Sequence, residues 1–179
     1  MTAEPITASV QIPLTGTYRM DPTRSTVGYS GRHMFGLGVV HATFTVRSGD
    51  LRVGDPLTDS TVTVTVDAGS FTSGSAKRDK DVTGASLLDV ATHPDITFVS
   101  DDLRADGDSG RWLMTGSVTA HATSVPVEVV IDRAAPEQAG VRLHGRAEHL
   151  DRYAFGVTGS KGMVGRYLDL DLDVFAVPA

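Results

Sequence analysis

The chain contains no cysteine. That absence removes disulfide cross-links, a thiolate nucleophile and any zinc site built on sulfur, and it leaves the redox character of the compartment open. No stretch approaches the roughly 18–20 consecutive apolar residues of a membrane helix. Positive charge is also thin. Sixteen Lys and Arg against 22 Asp and Glu leave a net charge of −6. This argues against broad binding to a nucleic-acid backbone, which needs clustered cations. Aromatics are few, 6% against 19 glycines, a balance that fits many tight turns. The opening MTAEPITASVQIPL has neither the basic start nor the apolar run of a secretory signal, and it contains Glu4, Pro5 and Pro13. The expectation is a cytoplasmic protein.

What is present is a rhythm of short alternating segments. At 179 residues, 40% hydrophobic and 21% charged, the chain suits one globular domain with a full-sized core. Residues 1–14 lack periodicity and are expected to form a flexible arm; the domain then runs over 15–179. Tyr18 and Met20, then Val27 and Tyr29, alternate on either side of a turn at Pro22. From Val39 to Val53, Val40, Ala42, Phe44 and Val46 share one face and His41, Thr43, Thr45 and Arg47 the other. Val62, Val64 and Val66 alternate with threonines, and Ile96 and Phe98 share a face. Further strands are expected over Arg111–His121, Val125–Asp132 and Val141–Leu150, the last two separated by residues 136–140. Near the end, Leu168, Leu170, Leu172 and Val174 interleave with Asp169, Asp171 and Asp173, so one side faces water and the other an apolar interior.

About eight strands at hairpin spacing, with no βαβ rhythm, fit a sandwich or a closed antiparallel barrel. Closure removes the long edges such strands would otherwise expose, and an eight-stranded barrel leaves room for about one small ligand. The fold expected is therefore all-β, an eight-stranded antiparallel barrel with a short helical connector at residues 75–92. In that connector Ser75 caps a helix beginning at Ala76, Asp79 complements its first turn, and Gly84 suits a left-handed stop. A lone helical connector between strands is placed to cover a barrel mouth.

Motifs for chemistry are weak. Gly107-Asp108-Ser109-Gly110 has the letters of a protease nucleophile tetrad, yet it sits in a hairpin loop without a triad in the required chain order. His144 and His149 are five apart, on opposite faces of a regular strand, so they cannot share a metal. His33, His41, His93 and His121 are scattered, and only the fold could bring any of them together. The Asp ladder reads as a solvated strand face, since it lacks the tight glycine turn of a calcium loop. Gly36-Leu37-Gly38 lacks the third glycine of a dinucleotide fingerprint. No catalytic residue, metal ligand or cofactor is assigned. His33 stands beside Arg32, Met34 and Phe35 at a strand end. Arg78-Asp79 and Arg152 lie in non-strand stretches beside Leu87 and Leu88 or Tyr153 and Phe155. They suit ties between connector and barrel rim, or contacts to a ligand headgroup.

These same residues carry a resemblance. Tyr18-Arg19-Met20-Asp21-Pro22, Arg32-His33-Met34, Arg78-Asp79, Asp89-Val90, His93-Pro94, Ile96-Thr97-Phe98 and the late Arg152-x-x-Phe155-Gly156 stand in the order found in the YceI-like family. The chain resembles that family from about Gly16 to Val177. It departs at Ala42 and Ala122, where glycine is usual, and at Leu87-Leu88, commonly an aromatic pair. The resemblance implies a lipocalin-like barrel that binds a polyisoprenoid lipid, such as a quinone tail or polyprenyl chain, for transport, storage or sequestration. The lumen and mouth residues expected to meet it are His33, Phe35, Phe44, Phe71, Arg78, Leu87, Leu88, Phe98, Arg152 and Phe155. Other readings are a barrel acting through a protein partner and an enzyme using the lumen as a substrate pocket. A homodimer is in keeping with the family, and no residue pattern fixes it.

Overall fold

The computed structural model describes residues 9–179. Residues 1–8, the larger part of the expected arm, lie outside the described residues. Within the rest of that arm, β1 (Ser9–Val10) runs parallel to a later strand, at Arg133 and Ala134.

The remaining strands are β2 (Gly16–Met20), β3 (Thr26–His33), β4 (Gly38–Val53), β5 (Thr61–Asp67), β6 (Asp95–Ala105), β7 (Trp112–Ala120), β8 (Thr123–Glu137), β9 (Gly140–Asp151) and β10 (Val164–Pro178). From β3 to β10 each strand pairs antiparallel with the next, and β10 closes on β3. This is a closed eight-stranded antiparallel barrel. β2 is the far half of the β3 stave: both segments pair with β4 and β10, interrupted by residues 21–25.

Alternation sets the inside. Leu170, Leu172 and Val174 share the inner face with their β9 partners Ala147, Gly145 and Leu143. The expected solvent face holds Asp171 and Asp173, which are engaged rather than merely solvated. Asp173 meets Arg142 at 3.0 Å, and Asp171 meets His144 at 2.8 Å and Arg146 at 3.5 Å. One inference from spacing is corrected. β9 bulges between Ala147 and Leu150, so His149 lies outside with His144, where it stacks on Tyr167 at 4.0 Å. Another correction concerns residues 136–140. Pro136 and Glu137 stay in the ladder, leaving a turn of only Gln138 and Ala139.

The connector follows the strands at one end of the barrel. Its helix α1 (Ala76–Thr83) is capped as expected, Ser75 accepting from Arg78 N–H at 3.3 Å. Gly84 is not the left-handed stop, since its φ is −74°. The left-handed residue is Asp89, at φ 47°, between the amides of Leu88 and Val90, which close on Val82 and Thr83. Ala122, one of the departures from glycine, sits with His121 in the two-residue β7–β8 turn at φ 58°. That conformation explains the preference for glycine there.

Candidate functional site

The barrel interior contains space, and its walls are carbon. A cavity of about 170 Å³ is bounded by side chains from all eight staves, among them Met20, Phe44, Val64, Phe98, Met114 and Leu172. A second cavity of about 120 Å³ lies under the connector, bounded by Tyr29, Phe71, Val82, Leu87, Leu88, Arg152 and Phe155. Phe44, Ile96, Val118, Leu150 and Leu170 wall both, so the two follow one another along the barrel. Ile96, Phe98, Leu170, Leu172 and Val174 point inward yet are only half-buried. An inward apolar side chain with surface left over is the mark of an unfilled core, since a packed interior has few voids larger than water.

Polar groups gather at the connector end. Arg152 is 4% exposed. Its guanidinium donates to the carbonyls of Val157 at 2.7 Å, Val164 at 2.9 Å and Gly165 at 2.9 Å. The arginine is thus the peg that holds the loop over 152–165 to the start of β10, and burial pulls its pKa below the ordinary arginine value. Tyr29 stands on the same cavity, edge-on to Phe71 at 5.5 Å. Burial pushes its phenol upward in pKa, with Arg152 opposing. Gly31 makes this pose available: a Cβ there would lie 2.3 Å from the Tyr29 hydroxyl. Arg78 and Asp79 brace the connector's own start. The Asp79 carboxylate accepts from Ser73 N–H at 2.9 Å and Ser73 O–H at 2.6 Å, and Arg78 reaches the same hydroxyl at 3.4 Å.

Among the described residues the fold also assembles one group of metal-capable side chains. Ligand atoms of Asp89, His93 and His121 all lie within 4.8 Å of one another, joining the connector to the β7–β8 turn. Two imidazoles and a carboxylate are a donor set suited to a divalent transition ion.

Of the expected site residues, the structure brings Phe44, Phe71, Leu87, Leu88, Phe98, Arg152 and Phe155 to the cavity walls. Arg78 lines neither cavity, because it is turned to Ser73. His33 folds over Gly38 at the end of β3, and Phe35 is 80% exposed beyond it; neither lines the lumen. His33 ends β3 and Phe35 lies in the turn that follows, whose left-handed residues carry the chain out of the barrel wall. Sequence reasoning named too few aliphatic wall residues. It also missed Tyr29, which the alternation with Val27 and Gly31 could have found.

A closed antiparallel barrel with an apolar lumen and one capped end defines the chain as lipocalin-like. The family model for the YceI-like domain matches residues 18–176, and the chain belongs to that family. A UPF0312 protein of Pseudomonas putida is 29% identical over 163 residues, 82% of each chain. One from Vibrio campbellii is 27% identical over 161 residues, 86% of this chain and 82% of that one. Among solved structures, Burkholderia cenocepacia BcnA superposes with a TM-score of 0.77 at 22% identity, over 88% of this chain and 99% of that one. A polyisoprenoid binding domain from Saccharophagus degradans, implicated in plant cell wall breakdown, gives 0.66 at 13% identity, over 90% and 98%. At those identities the structural likeness speaks to fold.

Proposed function

We propose that the protein binds the hydrocarbon tail of an isoprenoid lipid in its lumen, as a carrier or store rather than as a catalyst. The observation that carries this reading is the carbon-walled space running inward from beneath the connector. The polyisoprenoid binding described for the Saccharophagus domain of the same fold supports it. On this reading Tyr29, on the wall of the smaller cavity, would meet a polar headgroup.

The space suggests a length. A cavity of about 150 Å³ takes one benzene, so lumen cavities of about 170 and 120 Å³ suit a short tail. That is roughly ten to fifteen carbons, or two to three isoprene units. Each buried methylene contributes about 0.8 kcal/mol. A gross gain near 10 kcal/mol, less the cost of ordering the chain, leaves binding at about micromolar strength. Longer tails require wall side chains to move.

The test is uptake of prenyl alcohols of increasing length from detergent micelles, read by native mass spectrometry, beside Leu172→Trp. A lipid-to-chain ratio of one that is lost when the new indole occupies the larger cavity supports the reading. Absence of any prenyl lipid, both as purified and after incubation, overturns it.

A further inference from the structure

The connector end also carries apolar surface that the barrel does not cover. Phe35 and Leu37 are 80% and 86% exposed, and Met34, Val39 and Met163 are 48%, 52% and 51% exposed. They form one braced knuckle. Met34 N–H donates to Met163 O at 2.9 Å and Phe35 N–H to Gly162 O at 2.6 Å, joining the β3–β4 turn to the loop before β10. The Phe35 ring lies over Gly162, where a Cβ would come within 2.5 Å of it. Arg32 closes the turn from the side by donating to Gly36 O at 3.3 Å.

Among the described residues, the contact of Phe35 with Gly162 leaves most of these side chains uncovered. Met34, Phe35 and Gly36 take φ values of 52°, 57° and 85° in succession. Asn and Gly adopt that conformation cheaply, whereas bulky apolar residues are strained in it. Here two such residues are strained and face water. Strain and an uncovered apolar patch at one place point to a contact outside the molecule.

Charge identifies the contact. In a chain of net charge −6, there is no Asp or Glu from Val27 to Gly49 or from Arg152 to Leu168. Arg32 and Lys161 flank the knuckle and are exposed. Lys161 stands 5.5 Å from the Tyr153 ring, Arg166, paired with Asp151 at 2.8 Å, stands 4.9 Å from it, and Tyr167 is 43% exposed. An apolar tip, a belt of tyrosines and flanking cations is the side-chain order of a bilayer–water boundary.

We infer that this knuckle docks the protein on a lipid bilayer bearing anionic headgroups. Phe35 and Leu37 enter the acyl boundary, while Arg32 and Lys161 meet headgroup phosphates. A second copy of the chain fits less well. A two-fold contact would set the same cations against themselves, and a convex knuckle is small beside the roughly 800 Å² each partner buries in a stable pair. The use of docking, to load or unload the lumen, rests on the lipid-binding reading above; the docking itself does not.

The experiment is co-sedimentation of the full chain with phosphatidylcholine vesicles, with and without phosphatidylglycerol. Phe35→Ser/Leu37→Ser and Lys161→Glu are compared after circular dichroism confirms that they fold. The wild type should pellet with the mixed vesicles and less with phosphatidylcholine alone. The double variant should partition roughly a hundredfold more weakly, and Lys161→Glu roughly tenfold more weakly. A wild type that stays in solution, or a double variant that pellets equally, overturns the inference. So does light scattering that shows a wild-type dimer broken by the double substitution. Prenyl uptake from micelles, measured on the same samples, separates the two readings. Docking without uptake overturns only the lumen proposal, and uptake without docking overturns only this one.

Discussion

The two ends of the barrel are built in opposite ways. At the end where β3 begins and β10 finishes, Phe175 is 1% exposed beneath two guanidinium groups, Arg24 at 3.5 Å and Arg142 at 5.5 Å from its ring. Both arginines converge on Glu137, at 2.9 and 2.6 Å. The Ser25 hydroxyl closes the break in the β2–β3 stave, accepting from Phe175 N–H at 3.1 Å and donating to Phe175 O at 3.2 Å. The connector end has the smaller cavity, roofed by a loop pegged on Arg152, and more strained turns, while exposed apolar side chains stand at both ends, Phe35 and Leu37 at this one and Leu14 at the other. Among the described non-glycine residues, Met34, Phe35, Asp89, His121, Ala122 and Ser160 are left-handed in its loops, against Gln138 in the turns of the other end. One end is fixed by paired polar groups; the other keeps its strain where a ligand would enter. Such strain persists only where surrounding structure holds it, and here the hydrogen bonds of Met34 and Phe35 to Met163 and Gly162 do so.

If that division holds, damage to the locked end should lower stability and leave uptake alone. Phe175→Ala should cost about 3–5 kcal/mol, the usual range for emptying a buried aromatic site. It should appear as a lower urea midpoint at unchanged slope, with prenyl uptake per folded molecule unaltered. Lost uptake in folded protein would break the comparison. Next in size is Arg152→Ala at the connector end, which strips three carbonyls of their donor. About 3 kcal/mol is expected, since a charged hydrogen bond contributes about 1.5–3 kcal/mol. Unlike Phe175→Ala, it should also speed lipid release in a chase with unlabelled lipid, because the loop it holds roofs the cavity. An unchanged release rate would confine Arg152 to stability.

The regular parts of this architecture were readable in the chain because they are local. Period-two alternation placed Leu170 and Leu172 inside and Asp171 outside, and the Ser75 cap marked the start of α1. What escaped depends on irregular backbone or on distant partners. A bulge at His149 reverses a parity argument that is sound for a regular strand. The left-handed stop moved from Gly84 to Asp89 because the chain after α1 closes back on Val82 and Thr83 on either side of that residue. The resemblance sets Phe35 at the lumen or its mouth, and three left-handed residues in a row leave its ring exposed beyond the wall. Asp89, His93 and His121 meet only through the fold. Alternation also says which side chains face inward, but not that space is left between them.

Smaller effects sharpen the comparison further. Ser75→Ala removes the cap of α1 and should cost about 1 kcal/mol. Since α1 presents Val82 to the smaller cavity, the loss should be seen first as faster amide exchange within 76–83. Exchange that rises equally in β10 would mean that the connector is not an independent lid.

Acid gives the mildest test, and it separates the ends by charge. Hydrogen bonding from Arg142 lowers the Glu137 pKa, and hydrogen bonding from Arg166 lowers that of Asp151. A carboxylate whose pKa is depressed by folding stabilises the native state above its unfolded value. That stability is lost as pH falls through the folded value. Melting temperature should therefore begin to decline below the ordinary Glu value of 4.5, and for Asp151 below 3.8. Both groups keep about a third of their side-chain surface in water, so each effect is small. Glu137 holds two arginines and Asp151 one. Glu137→Gln should accordingly flatten the acid limb more than Asp151→Asn. Equal flattening would mean that the Glu137 cluster adds nothing beyond a single surface pair, and that the locked end owes its rigidity to the burial of Phe175 alone.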